Sequence, residues 1–218
     1  MHSSKREVTN ITLSPRRVEA LTDGVFAIVM TILVLQLTVP VIAEGSVHAE
    51  LGERLLDMWP KFLSYVVTFL MLGVMWFHHH RQFSWIKQSD SILVWTNIIY
   101  LMFVALLPFS TSMVGEFIEE RIPVFIYGGN FIACWIFRYI LWSYATGNYR
   151  LVDRNIDPRE IRMPKIIYPI AIAVFMMGMG IAFLNTIASI CIYALMLTFL
   201  IVSSAFLYQV SAIQKSAK

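Results

Sequence analysis

Apolar residues in this chain gather into long, nearly unbroken runs, not the period-two alternation of a half-buried strand or the one-sided stripe of a surface helix. A hydrocarbon core about 30 Å thick calls for about 20 apolar residues in an α-helix rising about 1.5 Å per residue. Six segments of that kind can be marked, at residues 18–39, 59–77, 91–113, 122–144, 164–184 and 186–210. The connections are too short to hold a soluble domain. The pattern therefore predicts an all-α membrane protein of six transmembrane helices, a single membrane domain over residues 1–218.

The first segment reads as part of the mature protein. It is too long for the apolar stretch of a signal peptide, holds Asp23, and ends at Leu37-Thr38-Val39-Pro40 without a small-residue cleavage pattern. The polar residues 1–13 before it are expected to be mobile. Between the first two segments, residues 44–59 set Val47, Leu51, Leu55, Leu56 and Met58 at near-helical spacing among acidic residues, as a short amphipathic helix on the membrane surface would. Pro108 and Pro169 fall inside spans and predict kinks. Gly128-Gly129 and Gly178-x-Gly180 predict close helix approach.

Composition agrees with the pattern: 58% of residues are hydrophobic and 14% charged, against roughly a quarter charged in soluble domains. The placement of charge adds orientation, because Lys and Arg in short loops favour the cytoplasmic side. Lys5, Arg6, Arg16 and Arg17 precede the first span, Arg81 and Lys87 follow the second, and Lys215 and Lys218 end the chain. Arg150, Arg154, Arg159, Arg162 and Lys165 join the fourth and fifth spans. The opposite loops hold only Arg54, Lys61 and Arg121 beside Glu44, Glu50, Glu53, Asp57, Glu116, Glu119 and Glu120. Both termini are expected in the cytoplasm of a multi-pass plasma-membrane protein. The net charge of +3 is dispersed in this way, so it implies no nucleic-acid partner. Cys134 and Cys191 both fall inside spans and are expected to be buried structural thiols.

Ionisable side chains at membrane depth normally face protein or water and mark a pathway. Asp23 is the chief case, with an interfacial anchor as the alternative. The string Trp76-Phe77-His78-His79-His80-Arg81 ends the second span and belongs to the same leaflet as Asp23. Three consecutive histidines point about 100° apart on a helix, a poor metal site, and no His-Glu-x-x-His motif is present. Hydrogen-bonded structural histidines, paired with Asp23, are the expected reading, and neither a structural metal nor a cofactor is implied. Arg138 is expected to snorkel to the inner boundary, with a place on an ion path as the alternative, and Asn97 and Asn130 to join helices. Ile28, Thr31 and Leu35 share one face of the first span. From periodicity alone that stripe reads as packing.

At these residues the sequence resembles the prokaryotic branch of the lysosomal-type potassium channel family, transmembrane protein 175. The first-helix signature of that family, Arg-x-x-x-Phe-Ser-Asp, reads here Arg17-x-x-x-Leu21-Thr22-Asp23, with Leu21 and Thr22 in place of Phe and Ser. The resemblance extends to six spans and to the Trp/His-rich end of the second. It implies a homotetramer whose first helix lines a central pore, with potassium as the permeant ion. The narrow apolar ring of the family would be Ile28, its hydroxyl layer Thr31, and a further apolar ring Leu35. Arg17 and Asp23 would tie the first helix to its neighbours, with His78, His79 or His80 as partners. The Thr-Val-Gly-Tyr-Gly loop of ordinary potassium channels is missing, so a carbonyl cage is not the expected filter.

Two other classes compete. A proton- or cation-coupled secondary transporter would also hold an intramembrane Asp, but no matched pair of interrupted spans is evident. A membrane-embedded enzyme would need convergent acid, base or nucleophile groups, which are too few outside the histidine string.

Overall fold

The computed structural model describes residues 14–216, with side chains over residues 14–203. Residues 1–13, expected above to be mobile, lie outside the described residues, as do Lys5, Arg6, Lys218 and the side chain of Lys215. The chain forms α1 (Pro15–Ile32), continued by a 3-10 turn (Leu33–Gln36), then α2 (Val47–Asp57), α3 (Trp59–Phe83), α4 (Ser91–Glu116), α5 (Arg121–Thr146), α6 (Pro158–Ile181) and α7 (Thr186–Ser216). All but α2 are long and apolar enough to cross a membrane. α2 is the amphipathic outer segment that the sequence predicts, and it buries none of its residues in the chain.

Local chemistry sets the ends. Pro15, Pro158 and Pro60 stand in the first turns of α1, α6 and α3, where a missing N–H leaves no helical bond unmade. Asp90 caps α4, its Oδ1 accepting from Leu93 N at 2.9 Å. Burial pushes the Asp90 carboxyl up, yet the Tyr144 hydroxyl, the Leu93 N–H and the Arg150 guanidinium outweigh it and hold the group below the usual carboxylate range. Asp157 caps α6, which therefore begins six residues before the expected start of the fifth span at 164 and ends at Ile181. α3 likewise runs past 77 to Phe83 and carries the whole histidine string on helix.

α4 packs on α1, α3 and α5; α5 packs on α4, α6 and α7; and α7 also reaches α3. The core is aromatic: Phe131 and Phe175 stack at 5.0 Å, Phe175 and Tyr193 at 4.7 Å. Gly178 and Gly128 permit this, since a Cβ on Gly178 would lie 2.3 Å from the Tyr193 ring and one on Gly128 2.6 Å from its hydroxyl. Gly129 and Gly180 face open space, so only one glycine of each pair serves close approach.

Hydroxyls and amides join the helices in the halves nearer α2. Thr68 meets Thr111 at 3.0 Å and Tyr127 at 2.9 Å, and Asn130 meets Ser110 at 3.2 Å. Lys61 pairs with Glu116 at 2.5 Å across the start of α3 and the end of α4. At the other end, the α3–α4 and α5–α6 loops form an antiparallel bridge between Ile86 and Val152. Asn148 and Tyr149, both at positive φ, turn the chain back after α5 so that Leu151 N reaches Ala145 O at 3.0 Å. One expectation is corrected: Cys134 is buried, but Cys191 lies exposed on α7, because no described residue covers its face of the helix.

Candidate functional site

α1 has two unlike faces. Val18, Thr22, Phe26, Val29 and Leu33 are buried against α3 and α4. Leu21, Gly24, Ile28, Thr31 and Leu35 point away, Ile28 with 59% and Leu35 with 71% of its surface exposed. The steps between these exposed positions alternate three and four, so they make one straight stripe. Ile28, Thr31 and Leu35 thus lie together, as their spacing predicts, but outside the core of the chain.

The Thr31 hydroxyl donates to its own helix, to Ile28 O at 2.8 Å and Ala27 O at 3.0 Å. With its proton committed to the backbone, the oxygen keeps lone pairs free on the exposed side. Such an oxygen is a ligand for a cation, not a donor to an anion.

The buried face is fixed by polar contacts at three heights. Innermost, the Glu19 carboxylate meets His80 Nδ1 at 2.9 Å, and Asp23 accepts from Trp76 Nε1 at 2.8 Å. The Trp76 and His80 rings stack at 5.8 Å, which joins the two contacts. Deeper in the chain, Thr22 donates to Val18 O and accepts from Asn97 Nδ2 at 3.0 Å, while Asn97 Oδ1 meets His79 Nε2 at 3.0 Å. The Asn97 oxygen can only accept, so in this arrangement His79 carries its proton on Nε2. At the far end, Gln36 Nε2 donates to Pro108 O at 2.7 Å and ties the 3-10 turn to α4.

The partner expected for Asp23 was a histidine; the structure gives Trp76. The 100° steps of α3 explain the difference, since they send Trp76 and His80 toward α1 and His79 into the chain. His78 is buried with its ring edge against Phe77. Arg17 is exposed and makes no ion pair among the described residues. Thr22 supplies the hydroxyl that Ser supplies in the family motif, and Leu21 stands exposed where the motif has Phe.

Arg138 does not snorkel. It is 1% exposed, donates to Gln82 Oε1 and at 3.3 Å to Tyr168 Oη, and lies over the rings of Tyr100 and Tyr168. Gln82 Nε2 in turn donates to Tyr168 Oη at 2.7 Å. Gln82 and Tyr168 carried no recognisable signal in the sequence, and Glu19 gave only its one-helical-turn offset from Asp23. Among the described residues no three His, Cys, Asp or Glu side chains gather in a way that could hold a metal ion.

The profile of a family described as endosomal/lysosomal potassium channel TMEM175 matches residues 17–108, which hold the α1 stripe and all its anchoring partners. The chain is 31% identical to the potassium channel B446_29190 of Streptomyces collinus, over 83% of this chain and 88% of that protein. It is also 31% identical to the potassium channel Cha6605_3372 of Chamaesiphon minutus, over 80% and 87% of the two chains. Its fold superposes with a TM-score of 0.77 and 27% identity on the crystal structure of a lysosomal potassium-selective channel TMEM175 homologue from Chamaesiphon minutus, covering 87% of this chain and 97% of that one.

Proposed function

Because this chain belongs to the TMEM175 family, we propose that it is a potassium channel: a homotetramer in which the exposed stripe of α1 from four copies lines one central pore. The observation that carries this reading is the two-faced α1. One face is locked to α3 and α4 by Glu19, Asp23, Thr22 and Gln36, while the other leaves Ile28, Thr31 and Leu35 exposed among the described residues.

In that assembly Ile28 forms the narrow apolar ring, Thr31 the hydroxyl layer and Leu35 an outer ring. A bare apolar ring admits an ion only if it sheds water, and potassium sheds water more readily than sodium. The Thr31 oxygens, one helical turn away, replace part of the lost hydration. Asp23, with Trp76, and His79 and His80, with Asn97 and Glu19, hold the stripe in register; His78 packs beside them. Arg17, exposed at the inner end of α1, is placed to contact a neighbouring subunit. The domain over residues 1–218 is a single channel unit in a prokaryotic plasma membrane, with both termini cytoplasmic.

Purified protein in planar bilayers under a potassium/sodium gradient is expected to give unitary currents that reverse toward the potassium equilibrium potential. Flux limited to single turnovers per conformational cycle would instead establish a coupled transporter. Sidedness is tested separately. In intact cells, Ser46→Cys is expected to react with an impermeant thiol reagent and Arg154→Cys to be protected; the reverse labelling would invert the topology.

A further inference from the structure

α6 presents one continuous exposed face, and its chemistry changes sharply along the helix. At its beginning stand Arg159 and Arg162; Met163, Ile166 and Ile170 follow on the same side, at steps of three and four residues. Arg159 and Arg162 stand before the expected start of the span at 164, and only apolar residues continue that face into it. A helix would show this order if its first turns stood at headgroup level and the rest in hydrocarbon.

Basic residues here are in excess of what the chain neutralises. Every nearby carboxylate has a partner: Asp90 takes Arg150 at 3.6 Å, Asp153 takes Lys87 at 4.0 Å, Glu160 takes Arg81, and Asp157 accepts from the Arg159 backbone N–H at 2.8 Å at the start of α6. Arg154, Arg159, Arg162 and Lys165 are left without an ion pair among the described residues. The start of α6 that presents Arg159 and Arg162 is not loose, since the Arg81–Glu160 pair ties it to α3 and the bridge between Ile86 and Val152 ties the preceding loop to the α3–α4 loop. The outcome is a fixed cationic patch above an exposed apolar stripe.

We propose that this face is a binding site for an anionic phospholipid, with the headgroup phosphate held by Arg159 and Arg162 and the acyl chains lying along Met163, Ile166 and Ile170. Two features single out this occupant. Positive charge without an internal counterion calls for an anion, and arginine suits phosphate because its fork gives two parallel hydrogen bonds. The apolar stripe continuing directly from the patch calls for hydrocarbon on the same molecule. A soluble anion satisfies only the first demand and a second protein copy only the second. The site lies on α6, not on the stripe of α1, so it does not depend on how ions cross.

The test is native mass spectrometry of the purified oligomer, titrated with phosphatidylglycerol or phosphatidylcholine in detergent. Wild type is expected to retain phosphatidylglycerol over phosphatidylcholine, with affinity that falls as salt rises. Juxtamembrane charges are worth about 1 kcal/mol each, so Arg159→Gln/Arg162→Gln is expected to weaken phosphatidylglycerol roughly thirtyfold and leave phosphatidylcholine unchanged. Arg159→Lys/Arg162→Lys is expected to recover most of the loss, and Arg54→Gln on α2 to change nothing. Equal retention of the two lipids by wild type at all salt concentrations would overturn the proposal without recourse to a variant. So would unchanged phosphatidylglycerol affinity in the double Gln variant, which would leave these arginines a role in orientation alone. Displacement of the lipid by millimolar glycerol phosphate would make this a soluble-anion site, and disulfide-linked dimers of Ile166→Cys would make it a subunit interface; either result also overturns it.

Discussion

Ile28→Asn is expected to raise leak current and to shift the reversal potential under a potassium/sodium gradient toward zero. In the proposed tetramer, four Ile28 side chains form a ring with no oxygen to offer, so a hydrated ion meets its highest barrier there. Four amides would widen and wet that ring and let sodium pass with its water. The substitution tests the pore and not the fold, because 59% of the Ile28 surface is exposed in the subunit and little packing is lost with it. Leu35→Asn, two turns further along in the 3-10 segment, is expected to do less. Thr31→Ala removes hydroxyls without opening the ring. If each neutral hydrogen-bond-like contact is worth about 0.5–1.5 kcal/mol, its loss lowers potassium preference by roughly two- to tenfold without raising leak. Identical reversal potentials for wild type, Ile28→Asn and Thr31→Ala would remove this face of α1 from the ion path.

The spans were legible because a bilayer imposes a length that apolar runs either meet or miss, and the six helices fall where six runs stand. The end of α3 was harder to read. Polar residues at 78–82 look like the end of a helix, yet α3 continues through them because His79, His80 and Gln82 each find a partner on another helix. That information is three-dimensional and cannot be read from one strand of sequence. Arg138 illustrates the same point. Alone in a span, a guanidinium is expected to reach for water, whereas here Gln82, two tyrosine rings and a tyrosine hydroxyl enclose it. The direction of the α1 stripe was legible from spacing, but not which side of it would be covered, since Ile28 and Val29 are equally apolar. What separates them is the hydroxyl of Thr22, which turns toward Asn97 and carries the face of Phe26 and Val29 inward with it.

Gln82 should prove more costly to remove than Arg138 itself. Arg138 is a permanent charge, buried, with no carboxylate among its described contacts, and Gln82 Oε1 is its nearest neutralising dipole. Gln82→Leu takes that acceptor away and leaves the charge with only the Tyr168 hydroxyl, at 3.3 Å, and two ring faces. Stranding a buried charge typically costs about 3–5 kcal/mol. Arg138→Met removes the charge and much of its desolvation penalty together, and fills similar volume with an unbranched apolar chain. Gln82 and Tyr168 would still bond each other at 2.7 Å, so this variant is expected to be near neutral or slightly stabilised. The double variant Gln82→Leu/Arg138→Met should then recover most of the stability lost in Gln82→Leu, leaving a coupling of a few kcal/mol in the double-mutant cycle. Thermal unfolding of the purified protein, followed by loss of the monodisperse oligomer on gel filtration, measures all four corners of that cycle. Additive losses, with Arg138→Met as damaging as Gln82→Leu, would mean that the guanidinium is held by contacts other than Gln82 and itself holds α5 against α3 and α6.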